Sequence, residues 1–176
     1  MKKRVLRKGV TLLEIVTIIV IAGILVASLF FILRPFGNKL RLSGAALKLK
    51  QDLSFARQRA LETGSDCAVE FFPDSNPQYW RIMRSESGTL WVEEGRTELP
   101  RQIRFGVGKD VSASLGLEAI PSDGISFPGN RVVFGPRSGA SSAGTVYFTD
   151  GDKTVAVNVN TVGTAIVRKF QNGGWE

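Results

Sequence analysis

The sequence contains no histidine and a single cysteine, Cys67. Without histidine, the chain lacks the commonest general base and the commonest metal ligand. One cysteine cannot form an internal disulfide, and with no histidine to activate its thiol we interpret Cys67 as a small core residue. The chain has no serine in a nucleophile-elbow motif and no glycine-rich phosphate loop after a strand. We therefore find no catalytic constellation, and we expect neither an enzyme nor a bound cofactor or metal.

Charged residues are almost absent from one long stretch near the N-terminus. Between Ile15 and Leu33 the only polar side chains are Thr17 and Ser28, and a membrane-spanning helix needs about 20 apolar residues. Basic residues before such a run stay on the cytoplasmic side. The sequence therefore predicts a single span with a cytoplasmic N-terminus. The basic residues that precede it are Lys2, Lys3, Arg4, Arg7 and Lys8.

The net charge of +7 comes mainly from this short basic leader. Without it, 18 basic residues face 16 acidic ones and the net charge is +2. The high isoelectric point is therefore a weak indication of nucleic-acid binding.

Glu14 is an unusual residue at the start of the apolar run. A charge at the centre of a membrane helix costs about 2.5–3.5 kcal/mol, and less near an interface. We therefore expect Glu14 to have a function that offsets this cost. One alternative is a glutamate that merely lies among the lipid headgroups of a signal anchor. A signal peptide would end in a small-x-small cleavage site, but no clean site ends this run. The other possible position for cleavage is before the apolar run, after Gly9.

The residues from Lys8 to Glu14, followed by the apolar run, resemble the prepilin motif of type IV pilins and type II secretion pseudopilins. The resemblance implies cleavage by a prepilin peptidase between Gly9 and Val10, and N-methylation of Val10. The family usually has phenylalanine where this chain has Val10. Glu14 then occupies the fifth mature position, which in the family is a glutamate. In a filament, Glu14 of one subunit can pair with the α-amine of its neighbour, and burial strengthens such a pair.

The same resemblance implies a location and a set of partners. We expect a single-pass protein of the bacterial inner membrane whose C-terminal domain is periplasmic and is assembled into a periplasmic fibre. Its partners would be other pilins or pseudopilins, the prepilin peptidase, the inner-membrane assembly platform and membrane lipid.

Pro35 and Gly37 predict a kink or short break after the apolar run. Apolar residues then recur at spacings of four and three, which predicts an amphipathic helix lying on a sheet and ending at Gly64. This stripe consists of Leu42, Ala46, Leu49, Leu53, Ala56 and Ala60. Four apolar residues lie off the stripe, where loops of the domain or neighbouring helices in a fibre can meet them: Leu40, Leu47, Phe55 and Leu61.

The string from Asp52 to Leu61 resembles the helix end of the GspH/FimT group of minor pseudopilins. The resemblance implies an α+β, pilin-like fold, in which a long N-terminal helix packs on two antiparallel sheets. We therefore divide the chain into a leader (1–9), a transmembrane and assembly helix (10–34), the amphipathic half of the helix (35–63) and a periplasmic antiparallel β domain (64–176).

Short β-rich runs separated by turn residues follow Gly64, and such a pattern is typical of strands. We predict long loops at residues 108–130 and 138–144, and a hairpin turn at Asp150-Gly151-Asp152. The candidate strands are Cys67–Phe72, Gln78–Ser85, Thr89–Glu93, Gln102–Val107, Arg131–Phe134, Thr145–Thr149, Thr154–Asn160 and Thr164–Phe170.

Two candidate binding sites in the sequence also have plainer interpretations. Asp150, Asp152 and Asn158 are oxygen ligands of the kind that calcium prefers, but the ligand loop is incomplete and a plain hairpin is favoured. The other site is a set of arginines, since some FimT-like relatives bind DNA through a C-terminal Gly-Arg-x-Arg motif. The corresponding place here, Gly163 to Lys169, lacks the first arginine and leaves Arg168 and Lys169. A solvated, mixed-charge sheet face is the plainer interpretation.

We therefore interpret the chain as a minor pseudopilin, a structural subunit of a type II secretion-type pseudopilus involved in protein export. The alternative is a minor type IV pilin of FimT type that binds DNA for uptake, although nucleic acid is an unlikely partner.

Overall fold

The computed structural model describes residues 11–112, 114–115 and 119–176, and only the backbone of residues 29–39. The chain divides into two compact units, Met1–Gly37 and Asn38–Glu176. Helix α1, Leu12–Thr63, contributes residues to both.

In the first unit, Thr11 caps the N-terminus of helix α1. The backbone N–H of Glu14 donates to the carbonyl oxygen of Thr11 at 3.0 Å and to its Oγ1 at 3.3 Å. Further along, the hydroxyls of Thr17 and Ser28 each donate to the carbonyl oxygen four residues earlier, at 2.8 Å. These polar groups are therefore satisfied within the helix itself. Across the residues that the structure describes, no helix combines the length and the apolar character that a membrane crossing requires.

Of the kink or short break predicted near Pro35, the break does not occur, since helix α1 continues from Leu12 to Thr63. A proline removes one backbone N–H, and in a long helix it commonly bends the axis without ending the helix. Gly37 adds a cost of only about 1 kcal/mol relative to alanine. The helical hydrogen bonds on both sides outweigh these two local costs.

In the second unit, helix α1 buries the predicted apolar stripe. Each side chain from Leu42 to Ala60 in that stripe is at most 2% exposed. The helix ends at Thr63, and Gly64 follows with a φ of +64°. Glycine adopts this left-handed conformation without steric cost, and the prediction of a helix end at Gly64 is confirmed.

Among the described residues of the second unit, nine strands form two antiparallel sheets. The first sheet has the order β3-β2-β1-β5 and the second the order β4-β6-β7-β8-β9. A short 3-10 turn, Pro128–Asn130, precedes β5. The strands are β1 Cys67–Phe72, β2 Tyr79–Ser85, β3 Trp91–Glu98, β4 Arg104–Phe105, β5 Arg131–Phe134, β6 Gly144–Thr149, β7 Thr154–Val159, β8 Ala165–Gln171 and β9 Gly174–Trp175. The predicted α+β class, with a long helix and two antiparallel sheets, is confirmed.

The largest differences from the predicted strands are at β3, β4 and β9. The predicted strand Gln102–Val107 is shortened to Arg104–Phe105 in β4. We predicted Thr89–Glu93, but β3 runs from Trp91 to Glu98, because its charged side chains pair with those of the neighbouring strand instead of marking a loop. Strand β9 was missed because it has only two residues. The 138–144 loop is partly attached to the sheet, since Ala140 bridges to Phe134 of β5.

The core of the second unit lies between the two sheets and the buried stripe of helix α1. Trp80, Phe134 and Phe148 are among its largest fully buried side chains. The rings of Trp80 and Phe148 meet edge to face, with centroids 6.0 Å apart, so the two sheets contact each other through aromatic side chains.

Candidate assembly surface

Helix α1 of the second unit carries large apolar side chains on its outward face. Leu40, Leu47, Phe55 and Leu61 are 72%, 51%, 49% and 59% exposed. Leu47 follows Leu40 by seven residues, about two helical turns, and Leu61 follows Leu47 by fourteen, about four turns, so the three lie roughly along one line of the helix. They lie off the buried stripe, as the sequence predicted.

In the first unit, every described side chain, from residue 11 to residue 28, is exposed. Most of them are branched aliphatic residues such as Ile18 and Val26, which are 56% and 68% exposed. Glu14 lies in the first helical turn among them, where a carboxylate interacts favourably with the helix dipole. Gly9 and Val10, the residues of the predicted cleavage site, lie outside the described residues.

Two arginines of the first sheet are paired with carboxylates. Arg81 Nη2 lies 2.8 Å from Glu70 Oε2, and Arg131 Nη1 lies 3.3 Å from the other oxygen of Glu70. The guanidinium of Arg131 also stacks on the ring of Trp91, 4.0 Å from its centroid. This face is therefore the mixed-charge surface that the sequence offered as the alternative to a basic one.

A second charged cluster joins helix α1 to the first sheet. The Glu94 carboxylate accepts a hydrogen bond from Arg84 Nε at 2.6 Å and another from Arg59 Nε at 3.2 Å. Burial alone would raise the pKa of Glu94, but the hydrogen bonds from Arg84 and Arg59 outweigh it and hold that pKa below its ordinary value. The sequence alone does not predict this cluster, because Glu94 lies at a register shift opposite Ile82 and Met83, which no local pattern indicates.

Thr11 caps the start of helix α1, a role that was not predicted from the sequence. Here a signal was present: threonine followed three residues later by glutamate is the spacing of a capping box, and Thr11 and Glu14 have that spacing.

The structure separates Arg168 and Lys169, the two residues proposed to contact DNA. Both are exposed on strand β8, and consecutive strand residues point to opposite faces of a sheet. Lys169 lines a groove with Leu42 and Ser43 of helix α1, whereas Arg168 lies on the other face, beside Ala156. The two cations therefore do not form one patch.

The Asp150 turn is a hairpin between β6 and β7. Asp150 Oδ1 accepts the backbone N–H groups of Asp152 and Lys153 at 3.1 Å and 2.8 Å. Asn158 Nδ2 donates to Thr145 Oγ1 at 2.9 Å, so its amide is used within the sheet. In the described part of the chain, no cluster of three or more acidic or cysteine side chains is arranged to hold a metal ion.

Cys67 is fully buried at the start of β1. Burial, with a smaller contribution from the nearby Glu94 carboxylate, raises the pKa of its thiol to about 11. A thiol that stays protonated is a poor nucleophile, which agrees with the interpretation of Cys67 as a core residue.

The comparisons with known proteins agree with this architecture. The fold is similar to that of the minor pseudopilin EpsH from the type 2 secretion system of Vibrio cholerae, with 13% identity and a TM-score of 0.51 over 76% of this chain and 99% of EpsH. It is also similar to the type IV minor pilin FimU of Pseudomonas aeruginosa, with 13% identity and a TM-score of 0.54 over 81% of this chain and 97% of FimU. At this level of identity the two likenesses show the fold alone.

A search among curated proteins finds no match. The family described as "Type II transport protein GspH" matches residues 45–163, which is more than half of the chain. The matched region extends from the buried stripe of helix α1 to the turn before β8, and on this basis the chain belongs to the GspH family of pilin-like proteins.

Proposed function

We propose that this protein is a minor pseudopilin, a structural subunit of a type II secretion-type pseudopilus that serves protein export. The observation that carries the proposal is the outward face of helix α1, where Leu40, Leu47, Phe55 and Leu61 are about half exposed or more. Large apolar side chains that are exposed along one helix are candidates for a site of association, since exposed apolar surface marks such sites. Membership of the GspH family supports other pseudopilins as the proteins that cover this face.

The processing and anchoring of the chain belong to the same proposal. Residues 1–9 are a leader that prepilin peptidase removes after Gly9, and Val10 becomes the methylated first residue. Residues 10–34 then anchor the chain in the inner membrane, and later pack against other pilin helices on the assembly platform. Residues 35–63 and 64–176 form the periplasmic part. The prepilin motif supports this sequence of events.

Glu14 has an assembly role in this proposal. Its carboxylate pairs with the α-amine of a neighbouring subunit once the leader has been removed. We expect Glu14→Ala to insert into the membrane normally, but to lose crosslinking to other pilins. Normal crosslinking of this variant would reject the role.

The outward face of helix α1 gives a separate test of the proposal. The double variant Leu47→Asp/Phe55→Asp should fold, because both side chains are exposed, but its incorporation into fibres should fall about tenfold or more. Leu90→Asp is a matched control, because Leu90 is 56% exposed but lies in the β2–β3 connection. If the double variant enters fibres as efficiently as the control, this face is not an assembly surface.

DNA capture is the second candidate function, and Arg168 is its best support because this residue makes no ion pair with any described residue. Binding through arginines to phosphates would weaken steeply as salt rises. Since the first-sheet arginines are paired and Arg168 is separated from Lys169, we expect no filter binding of DNA near physiological salt. Retained binding with a steep salt slope that Arg168→Ala abolishes would favour the DNA-binding function.

A further inference from the structure

The edges of the two sheets differ in how they are protected. Natural sheets block their exposed edges with charges, bulges, covering loops or very short strands. Strand β3 has charged residues along its length and a register shift, and β5 is bridged by Ala140. Strand β4 has only two residues. The remaining edge, at β8, is protected over only part of its length.

Strand β9 covers the C-terminal half of β8. Phe170 and Gln171 pair with β9, and the N–H and carbonyl of Lys169 exchange hydrogen bonds with Glu176 at 2.8 Å and 2.9 Å. Because backbone groups of an antiparallel strand alternate between its two neighbours, the N–H and C=O groups of Val167 and Ala165 also point away from β7. Within the described chain these outward groups have no hydrogen-bond partner. The N-terminal half of β8 is thus an unpaired edge.

A groove lies between this unpaired edge and helix α1. Its volume is about 440 Å³. One wall is Gly163–Ile166 and the other is formed by Lys50, Ser54, Arg57, Gln58 and Leu61. Gly163 has a φ of +84°, and a Cβ there would lie 3.3 Å from Arg57 Cδ, so the turn before β8 lies directly against the Arg57 side chain.

The groove is positively charged. Lys50 and Arg57 line it, no acidic residue does, and neither cationic side chain forms an ion pair with a described residue. Ile166, which is 41% exposed, and Leu61, which is 59% exposed, add apolar surface beside them. The groove therefore has the partly covered edge of β8, where Ala165 is 6% exposed, on one wall and positive charge on the other.

We infer that the N-terminal half of β8 accepts an extended, acidic segment of another protein as an added strand. Addition of a strand to a sheet edge takes affinity from main-chain hydrogen bonds and specificity from the side chains around it. Ala165 and Val167 would supply the hydrogen bonds, and Lys50 and Arg57 would select an acidic segment. A second copy of this chain would bring the same two cations and be repelled. A nucleic acid would leave the edge groups of β8 unpaired.

This inference does not depend on the proposed function, since an edge strand can recruit a partner whether or not the chain enters a fibre. The test uses the full chain in detergent micelles and a short, capped peptide of alternating valine and threonine that carries two aspartates. Hydrogen–deuterium exchange reports strand addition directly. With peptide at about ten times its Kd, exchange in the Ala165–Val167 segment should slow about tenfold, while exchange in β3 stays unchanged.

A charge swap provides the matched control. The variant Lys50→Glu/Arg57→Glu should bind the aspartate peptide at least about tenfold more weakly. The same variant should bind a peptide with lysines in place of the aspartates. Lys153→Glu/Arg137→Glu changes the same number of charges outside the groove and should bind like the parent chain. Failure of the charge swap to exchange the peptide preference would overturn the inference.

Three other outcomes would also overturn it. The first is peptide binding without slower exchange at Ala165–Val167, and the second is no binding at millimolar peptide. The third is that the peptide leaves hydrogen exchange in this segment unchanged, whereas duplex DNA, or a higher concentration of the protein without peptide, slows it.

Discussion

The indole Nε1 of Trp80 donates a hydrogen bond of 2.8 Å to Oδ2 of Asp52. The donor lies on β2 of the first sheet and the acceptor on helix α1, and the Asp52 side chain is only 7% exposed. Thr97 Oγ1 donates to the same oxygen at 3.1 Å, and Lys48 Nζ lies 2.6 Å from the other oxygen. A buried carboxylate with several donors aligns the helix on the sheet more specifically than apolar contacts do, since each donor has a required direction.

Replacement of Asp52 by alanine should lower the free energy of unfolding by about 3 kcal/mol, because the buried indole N–H of Trp80 would lose its acceptor. Lys48→Ala removes only the half-exposed partner and should cost less than about 1 kcal/mol. Urea denaturation followed by tryptophan fluorescence measures both. Equal losses in the two variants would contradict the role of the buried hydrogen bonds.

Glu94 should make the stability depend on pH in the acid range. Its pKa in the folded protein is below the ordinary value of 4.5. Its contribution is therefore complete above that value and is lost as the pH falls through the lowered folded-state pKa. The difference in unfolding free energy between the parent chain and Glu94→Gln should be constant at neutral pH and shrink below 4.5.

An exposed carboxylate on the same strand serves as the control for Glu94. Glu98→Gln should alter the unfolding free energy much less at neutral pH, because Glu98 forms no ion pair within the described residues. A Glu94→Gln difference that stays constant down to the acid transition would show that the link to Arg59 and Arg84 does not stabilise the fold.

Cys67 should be unreactive until the protein unfolds. Its thiol is fully buried, and its pKa is raised to about 11, so little thiolate is present and the reagent cannot reach it. Because Cys67 is the single cysteine, labelling with a chromogenic disulfide at mildly alkaline pH is unambiguous. We expect no rapid reaction in buffer and one equivalent in urea. Rapid labelling of the native chain would mean that the start of β1 opens easily.

Alanine variants of Gly124 and Gly129 distinguish the free-energy cost of a left-handed backbone conformation from that of a steric clash. Their φ angles are +74° and +63°, but a Cβ on Gly124 would lie 2.2 Å from the backbone nitrogen of Gly106, whereas one on Gly129 meets nothing within 4 Å. We expect Gly129→Ala to cost about 1–2 kcal/mol. Gly124→Ala should cost at least about 2 kcal/mol more, because backbone must move. Similar melting temperatures for the two variants would contradict this close approach.

Local periodicity was sufficient to predict the helix and the face that it buries. The stripe from Leu42 to Ala60 is visible in the sequence because a helix brings residues three and four apart to one side. The same holds for β1 and β5, whose bounds agree with the prediction because both are short apolar runs between turn residues.

Features that depend on pairing distant segments were not predictable. Strand β1 lies between β2 and β5, and nothing local in Cys67–Phe72 indicates its partner beyond the next hairpin. The charged run from Glu94 to Glu98 has no strand pattern in isolation, but it pairs with β2, whose Arg81 and Arg84 form ion pairs with Glu93 and Glu94. The cleavage residues Gly9 and Val10 and the assembly role of Glu14 stay predictions, since their evidence is the motif alone.

The location of the buried stripe has a consequence for where substitutions are tolerated. In the part of helix α1 whose side chains the structure describes, the first buried residue is Leu42, and all those from residue 11 to residue 28 are exposed. A substitution between residues 11 and 28 therefore empties no buried position, whereas truncation of a side chain in the stripe from Leu42 to Ala60 leaves a cavity and lowers the stability of the folded domain.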